Sequence, residues 1–308
     1  NMVKKIVYTI CVIGFSFWQV KAQTVYFNRN YDYNNEAEGL GSVLVTNDGG
    51  YLSTGEVITT TYRGLYLLKT DAYGDTLWTK LYKKDSFGYY SGYSGSLIKT
   101  LDGGYALASS YVDVKTNDAD AIFYKFDSYG DTLWTKIIGG TGRQTFGNCI
   151  QNSDSTYILI GDLYSPNRNI YLVKLDVSGN LIWQKNFGGS GEEIALSLLQ
   201  TTDGGYMLVG YTNSYGAGSY DIYVVKTDSA GNKQWQKTFG NQYSDGPGGI
   251  IITNDQNYLI TGAITTNNLS VQGYIVKIDM AGNKLWDKQY GGTQFESIVG
   301  SAVELADS

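Results

Sequence analysis

Residues 226–237 read KTDSAGNKQWQK, and four further segments share this pattern of lysine, aspartate, glycine and tryptophan. The spacings between the five tryptophans are 56, 49, 52 and 51 residues. The tryptophans are Trp78, Trp134, Trp183, Trp235 and Trp286. A repeat of about fifty residues is the length of one four-stranded β-unit, and such units stack around an axis as the blades of a propeller. The repeat therefore predicts an all-β protein with the β-propeller fold, in which these tryptophans are structural.

Each repeat divides into four strands. In the fourth copy, an apolar strand over 194–201 meets the turn Asp203-Gly204-Gly205, whose residues suit a tight hairpin. Three more strands follow, over 206–211, 221–227 and 233–239. The third strand is apolar on both faces in every copy, which predicts a sheet packed between neighbouring sheets.

The strand count predicts five complete four-stranded antiparallel blades and a remainder. Residues 24–31 resemble a fourth strand and residues 298–308 resemble a first strand, which predicts a partial sixth blade. An N-terminal strand that completes the last blade closes the ring of a propeller. Because two strands of this blade are missing, the sequence predicts a truncated chain. The predicted complete blades are 41–82, 95–137, 146–187, 194–239 and 248–290.

Residues 1–22 are expected to be a cleaved signal peptide, followed by the propeller domain over 23–308. Lys4 and Lys5 precede an apolar run, and small residues stand before a cleavage site near Ala22–Gln23. No later run is long and apolar enough to span a bilayer, so no membrane insertion is expected. The expected localisation is secreted, either extracellular or at the cell surface.

Composition excludes several classes of function. The net charge of −6 becomes −9 without residues 1–22, which carry three lysines and no acid, and this disfavours nucleic acid as a partner. Cys149 is the one cysteine left after processing, so no intramolecular disulfide can form. The chain has no histidine, which excludes Ser-His-Asp and Cys-His triads and disfavours zinc and copper sites. No cofactor is expected, with Ca²⁺ as the alternative.

The repeat resembles a known group of propellers. DGGY turns at 48–51, 102–105 and 203–206, each followed by a K-x-D-x-x-G-[ND]-x-x-W segment, are similar to repeats of secreted and surface β-propellers from Bacteroidetes-type bacteria. The resemblance covers residues 24–308 and extends more distantly to quinoprotein-like propellers. It implies a binding or adhesion module, of a kind often exported by type IX secretion. The quinoprotein dehydrogenases typically use adjacent cysteines and calcium, which the lone Cys149 does not match.

The two rims of the predicted propeller differ. The turns between strands one and two, and between three and four, are nearly constant and therefore structural. The loops of the other rim vary in length and content, and variable loops on a rigid frame usually carry binding. Exposed tyrosines there suit sugar stacking or protein contact, and packing between blades is the alternative. The candidates on this rim are Tyr89, Tyr90, Tyr93, Arg143, Tyr243, Phe295, Arg63, Arg168, Tyr215 and Tyr220.

A second set of candidates is acidic. Glu38, Glu193 and Asp245 each stand ten residues before the aspartate of a strand-one turn, with Gln144 at the same place in blade three and Glu296 close to it. These positions begin the innermost strands, which predicts an acidic funnel that holds Ca²⁺ or a basic partner. Local capping at the start of the strand is the alternative. Carboxylates on this rim could also serve glycoside hydrolysis.

A repeated lysine ends each third strand, and an aspartate follows it two residues later on the same face. Five copies of one pairing predict a structural ion pair. The pairs are Lys69 with Asp71, Lys125 with Asp127, Lys174 with Asp176, Lys226 with Asp228, and Lys277 with Asp279.

Together these features predict a non-enzymatic extracellular module for binding or adhesion. Its expected partner is a glycan or protein at the cell surface, held by the variable rim of a monomeric domain within a longer chain. One alternative is a carbohydrate-active enzyme of the glycosidase or lyase type that uses rim carboxylates, including Glu192. The other is a structural spacer in a larger surface protein.

Overall fold

The computed structural model describes residues 30–32, 36–83, 87–90, 96–113, 116, 118–140, 142–267, 270–291 and 302. Its strands form five blades, which confirms the predicted all-β propeller fold. The first contains β1 (Ala37–Val45), β2 (Tyr51–Ile58), β3 (Arg63–Thr70) and β4 (Thr76–Tyr82). The second contains β5 (Phe87–Tyr90), β6 (Leu97–Lys99), β7 (Tyr105–Asp113), β8 (Ala119–Phe126) and β9 (Thr132–Ile138).

The remaining blades have four antiparallel strands each. The third contains β10 (Arg143–Gln151), β11 (Tyr157–Tyr164), β12 (Arg168–Leu175) and β13 (Leu181–Phe187). The fourth contains β14 (Glu193–Gln200), β15 (Tyr206–Thr212), β16 (Asp221–Thr227) and β17 (Lys233–Phe239). The fifth contains β18 (Gly246–Ile252), β19 (Tyr258–Thr265), β20 (Val271–Ile278) and β21 (Lys284–Tyr290). The partial sixth blade, predicted from residues 24–31 and 298–308, lies almost wholly outside the described residues.

The second blade departs from the others in its innermost strand. Two short pieces, β5 and β6, both pair antiparallel with β7. Gly88 of β5 also bridges to Arg63 of β3, which joins the first two blades into one sheet. Tyr89 and Tyr90 therefore lie in a strand, and their predicted position in a loop is wrong. The backbone pairing of β5 with β7 gives these residues a partner that sequence spacing did not reveal.

The apolar core lies between adjacent blades. One cluster joins Phe123 of the second blade to Tyr157 and Val173 of the third, and equivalent clusters join the other neighbouring pairs. The third strand is buried along nearly its whole length, as all seven residues of β16 show, whereas the fourth strand is largely exposed. Cys149 is a buried member of the core whose Sγ donates to the Ser96 carbonyl, and burial raises its pKa to about 12.

The repeated tryptophan joins one blade to the next. A Cβ atom on Gly231 would lie 2.8 Å from the Trp183 ring, and Gly130, Gly179 and Gly282 meet Trp78, Trp134 and Trp235 in the same way. Only glycine leaves room for the indole at this position, and Gly231 also has φ +77°. In the second to fifth K-x-D-x-x-G segments, the glycine is therefore the contact surface for the tryptophan of the preceding blade.

The repeated lysine pairs with a different aspartate from the predicted one. Lys226 is buried, and its Nζ donates to Asp203 of the strand-one turn at 2.8 Å and to the Thr227 carbonyl at 2.8 Å. Asp228 instead accepts the N–H groups of Ala230 and Asn232 within its own turn. The interaction is structural, as expected, but it crosses the hairpin. The other cross-hairpin pairs are Lys69 with Asp48, Lys125 with Asp102, Lys174 with Asp154, and Lys277 with Asp255.

In the part of the chain that the structure describes, no helix is long and apolar enough to cross a membrane.

Candidate functional site

A cavity of about 310 Å³ opens on the variable rim, where the second strands end and the first and third strands begin. Four blades contribute to its wall. The lining residues are Glu56, Ser110, Arg143, Thr145, Phe146, Gly147, Gly161, Asp162, Tyr164, Arg168 and Ala195. A concave site with a few converging charged groups is the usual form of a small-molecule site. We call it the rim pocket.

Asp162 is the most deeply buried charged group of the rim pocket. Its side chain is 5% exposed, and its Oδ2 accepts a hydrogen bond from Arg168 at 2.6 Å. Its Oδ1 accepts the N–H of Ala195 at 2.9 Å. Burial raises the pKa of Asp162, although the charge of Arg168 acts in the opposite direction. A buried carboxyl with a raised pKa in a cleft is a candidate for a general acid.

Glu56 is the second carboxylate of the rim pocket. It pairs with Arg63, whose Nε donates to Glu56 Oε2 at 2.6 Å and whose Nη2 contacts the same oxygen. Glu56 occupies the same strand-two register position in its blade as Asp162 does, five residues after Tyr51 and Tyr157 respectively. The pocket thus contains two acids, each oriented by an arginine from the first residue of the neighbouring third strand.

Tyr164 lies beside two guanidinium groups at the mouth of the rim pocket. The Arg168 Cζ atom is 5.2 Å from the ring centroid and the Arg143 Cζ atom is 5.8 Å from it. Both distances are within the range of cation–π attraction. Burial raises the pKa of the Tyr164 hydroxyl, with the nearby arginines acting in the opposite direction. Both arginines therefore lie within cation–π distance of the same tyrosine.

The predicted acidic funnel does not form from the described side chains. Glu193 is fully buried, and its carboxylate accepts the Gly189 N–H at 2.8 Å and the Thr212 hydroxyl at 2.7 Å. Asp245 is also buried and accepts the N–H groups of Asn241 and Thr265. Each carboxylate therefore caps the loop before its own strand, as the alternative interpretation expected.

The register confirms that the acidic positions are equivalent, although it does not bring them together. Glu38, Gln144 and Glu193 pair with the same position of their second strands, namely Val57, Leu163 and Thr212. The side chain of Glu38 and the whole of Glu296 lie outside the described residues. Among the groups that are described, no three Asp, Glu or Cys side chains form a cluster suited to a metal ion.

The predicted tyrosines have different roles. Tyr215 stacks on Tyr223 with 5.5 Å between ring centroids and donates to the Gly188 carbonyl, so it packs between the third and fourth blades, as the alternative for the tyrosines expected. Tyr220 donates to the Glu192 carboxylate at 2.9 Å on the surface next to the rim pocket. Tyr243 is half-buried in the loop that Asp245 caps. Tyr93 and Phe295 lie outside the described residues, as do the side chains of Tyr89 and Tyr90.

Of the predicted candidates, Arg143 and Arg168 line the rim pocket, and Arg63 reaches it through Glu56. Glu56, Asp162 and Tyr164 line the same pocket and were not among the predicted residues. A signal was present, because a carboxylate inside an otherwise apolar second strand, directly after a glycine, occurs only in YLSTGEVI and YILIGDLY. Both strands are followed by an arginine at the start of the next strand, which supplies the counter-charge.

No family model matches the chain, and no curated protein matches it in sequence. Solved structures match in fold. One is the periplasmic gluconolactonase of Pseudomonas aeruginosa, with 11% identity over 81% of this chain and 70% of that chain and a TM-score of 0.52. A mutant of the Synechocystis apocarotenoid oxygenase has 11% identity over 86% of this chain and 64% of that chain, with a TM-score of 0.53. A GH43 β-1,3-galactosidase has 12% identity over 83% of this chain and 59% of that chain, with a TM-score of 0.48.

These matches correct the predicted function. The sequence predicted a non-enzymatic binding or adhesion module, and that prediction is wrong, because solved propellers of similar fold include a gluconolactonase and an apocarotenoid oxygenase, which are enzymes. At 11% identity the likeness shows a shared fold and transfers neither activity to this chain. The chemistry has to be argued from the residues of the rim pocket.

Proposed function

We propose that this protein is a carbohydrate-active hydrolase and that the rim pocket is its active site. The observation that carries the proposal is the presence of Glu56 and Asp162 on one pocket, each paired with an arginine. Two carboxyl groups in different environments are the usual requirement for cleaving a glycosidic bond. The site replaces the rim carboxylates Glu193 and Asp245 that the sequence suggested, because those two groups are engaged as caps.

In the proposed reaction, Asp162 is the general acid. It protonates the glycosidic oxygen as the bond from that oxygen to the anomeric carbon breaks, and Arg168 stabilises the carboxylate that remains. Glu56 accepts a proton from the water that attacks the anomeric carbon, and Arg63 orients its carboxylate. The products are a sugar with a free reducing end and the released alcohol.

The test is incubation of the protein with a panel of polysaccharides, in which the release of reducing ends measures hydrolysis. Asp162→Asn and Glu56→Gln should each lower kcat by about 10²- to 10⁴-fold, the usual contribution of a general acid or base. Asp245→Asn is the matched control, since it alters a buried carboxylate on the same rim that has a capping role. It should retain kcat at temperatures below its own melting transition.

Two results would contradict the proposal. One is the absence of reducing-end release by the wild-type chain on every polysaccharide of the panel. The other is a kcat for the Asp162 and Glu56 variants equal to that of the Asp245 control.

We also propose export of the chain, with residues 1–22 as the leader. The basic residues and the apolar run of that segment support this. One protein of similar fold is periplasmic in its own organism. The likeness of the repeats to those of Bacteroidetes-type surface propellers is consistent with the same destination.

Finally, we propose that the segment before β1 supplies the outer strand of a closing blade. The Tyr31 hydroxyl donates to the Gly74 carbonyl at 2.8 Å, and the Tyr82 hydroxyl at the end of β4 donates to the Gly130 carbonyl at 2.9 Å. Gly74 and Gly130 are equivalent glycines of successive repeats. Tyr31 therefore contacts the first blade as the last residue of β4 contacts the second.

A further inference from the structure

Three arginines of this chain lie at the rim pocket. The sequence contains four arginines among 23 basic residues, and the structure describes three of them. Arg143 and Arg168 line the pocket, and Arg63 holds the Glu56 carboxylate in its wall. Arginine presents a planar fork of donors that matches a carboxylate or sulfate, which the point charge of lysine does not. Such a concentration at one cavity points to an anionic ligand.

The charges of the rim pocket leave one arginine in excess. Arg63 is matched by Glu56 and Arg168 is matched by Asp162. Arg143 also lines the cavity, and no carboxylate among the described residues lies within ion-pair distance of it. The three arginines and the two carboxyl groups at the pocket therefore sum to a net positive charge, whether Asp162 is protonated or ionised, in a chain whose overall charge is −6.

A partly buried cation is costly unless a negative charge accompanies it. The ring of Tyr164, with its centroid 5.8 Å from the Arg143 Cζ atom, offers attraction to the cation but carries no negative charge. A ligand carboxylate in the cavity, which Arg143 lines, would supply that charge. The cavity of about 310 Å³ also has room for a larger group than an inorganic ion.

We propose that the rim pocket selects an acidic saccharide and that Arg143 receives the carboxylate of a uronic acid unit. This inference rests on the proposed hydrolase function, and it deepens it by naming the substrate class. Arg143 is then a specificity residue, distinct from the acid and base assigned to Asp162 and Glu56. Sulfated saccharides present a similar anion, so the experiment includes them as a separate arm.

The first measurement is binding without turnover. Oligosaccharides of galacturonic, glucuronic or mannuronic acid are titrated into the Asp162→Asn full-length chain by calorimetry, beside the same oligosaccharides after reduction of their carboxyl groups. At least one uronate should bind about 10- to 100-fold more tightly than its reduced, neutral counterpart, the range expected for one charge-assisted hydrogen-bonded pair. Raising the salt concentration should weaken binding of the uronate alone.

The second measurement assigns this preference to Arg143. Arg143→Gln in the same background should remove the preference for the charged ligand and leave the affinity for the neutral one within about threefold, since it deletes one charge-assisted contact. Arg143→Lys keeps the positive charge but lacks the paired donors of the guanidinium group, so it should lose part of the preference for the charged ligand. Lys237→Gln is the matched control, because it removes one positive charge from the exposed strand β17.

The outcomes separate the two proposals. Equal affinity for every charged and neutral oligosaccharide, no binding of any, or a preference for sulfated over uronate ligands would overturn the uronate assignment. Loss of both charged and neutral ligands in Arg143→Gln, with its circular dichroism unchanged, would also overturn it. A uronate that binds through Arg143 but is not cleaved by the wild-type chain would leave the assignment standing and contradict the hydrolase.

Discussion

At the scale of single residues, the carboxylate of each strand-one turn is held by its neighbours. Burial alone would raise the pKa of Asp102, but hydrogen bonds from Thr100 and Lys125 outweigh it and bring the pKa down to about 2. In Asp203, bonds from Lys226 and Thr201 likewise outweigh burial and give a pKa of about 2. The ordinary value is 3.8 for both groups. These carboxylates are therefore linked to stability in acid.

The sign of that linkage gives a prediction. Below pH 3.8 these two carboxylates take up protons in the unfolded chain while they stay ionised in the folded chain. The free energy of unfolding should therefore fall as the pH drops from 3.8 towards about 2. We expect the Asp102→Asn/Asp203→Asn double variant to lose less stability than wild type over this interval. Thermal melts at stepped pH, followed by circular dichroism, measure the slope. Asp118→Asn, an exposed control, should keep the wild-type slope, and identical slopes for all three proteins would contradict the prediction.

The residue scale also shows where sequence reasoning fails. The spacing of Lys226 and Asp228 placed them on one face of a strand, and this suggested a local ion pair. The structure brings Asp203 to Lys226 from across the hairpin, because the turn after the first strand folds back onto the end of the third. Spacing predicts neighbours along a strand, whereas partners across strands depend on register.

At the scale of elements, the packing of a repeat tryptophan on the turn glycine of the next blade is the contact that recurs between blades. Gly231 and Gly204 both have φ near +80°, but a Cβ on Gly204 would meet nothing within 4 Å, whereas one on Gly231 would meet the Trp183 ring at 2.8 Å. The two positions therefore separate backbone strain from the interblade contact.

Substitution of these glycines by alanine tests the contribution of the tryptophan–glycine contact to stability. Gly204→Ala should destabilise the protein by about 1–2 kcal/mol through backbone strain alone. Gly231→Ala should cost about 1–3 kcal/mol more, because the methyl group overpacks the indole. The free energies of unfolding come from urea titrations at equilibrium. In a Trp183→Leu background, Gly231→Ala should cost less than it does in the wild type, because the indole that it overpacks is gone. Equal losses for Gly204→Ala and Gly231→Ala in the wild type would contradict the interblade contact.

At the scale of elements, the sequence predicted most strands but not all of them. Four strands per repeat, their order and the buried third strand followed from apolar runs and turn residues. The split of the innermost strand of the second blade into β5 and β6 did not, because both pieces are short and gain their partner from β7. Short segments have too few residues to show a strand period, so pairing alone decides them.

At the scale of the whole molecule, the contact of Tyr31 with the first blade suggests ring closure. If the segment before β1 is the outer strand of a closing blade, Tyr31→Phe should destabilise the chain by about 1 kcal/mol, the usual loss for one hydrogen bond. Tyr82→Phe should cost a similar amount, because its hydroxyl makes the equivalent bond.

Equilibrium unfolding in urea measures both losses. Tyr129→Phe is the matched control, since that side chain is 72% exposed, and it should be neutral. A neutral Tyr31→Phe beside a destabilising Tyr82→Phe would show that the N-terminal segment does not act as a blade strand.

The sequence by itself determined the architecture of this protein, because a repeat of tryptophan, glycine and apolar strands encodes its blade locally and five times over. It also identified the variable rim and the arginines at positions 63, 143 and 168. Only the tertiary structure placed Glu56 and Asp162 on one pocket with Arg143. Glu56 comes from the first blade and Asp162 and Arg143 come from two strands of the third, so their meeting depends on strand register and on the curvature of the ring. The spacing of residues within a single repeat predicts neither of these.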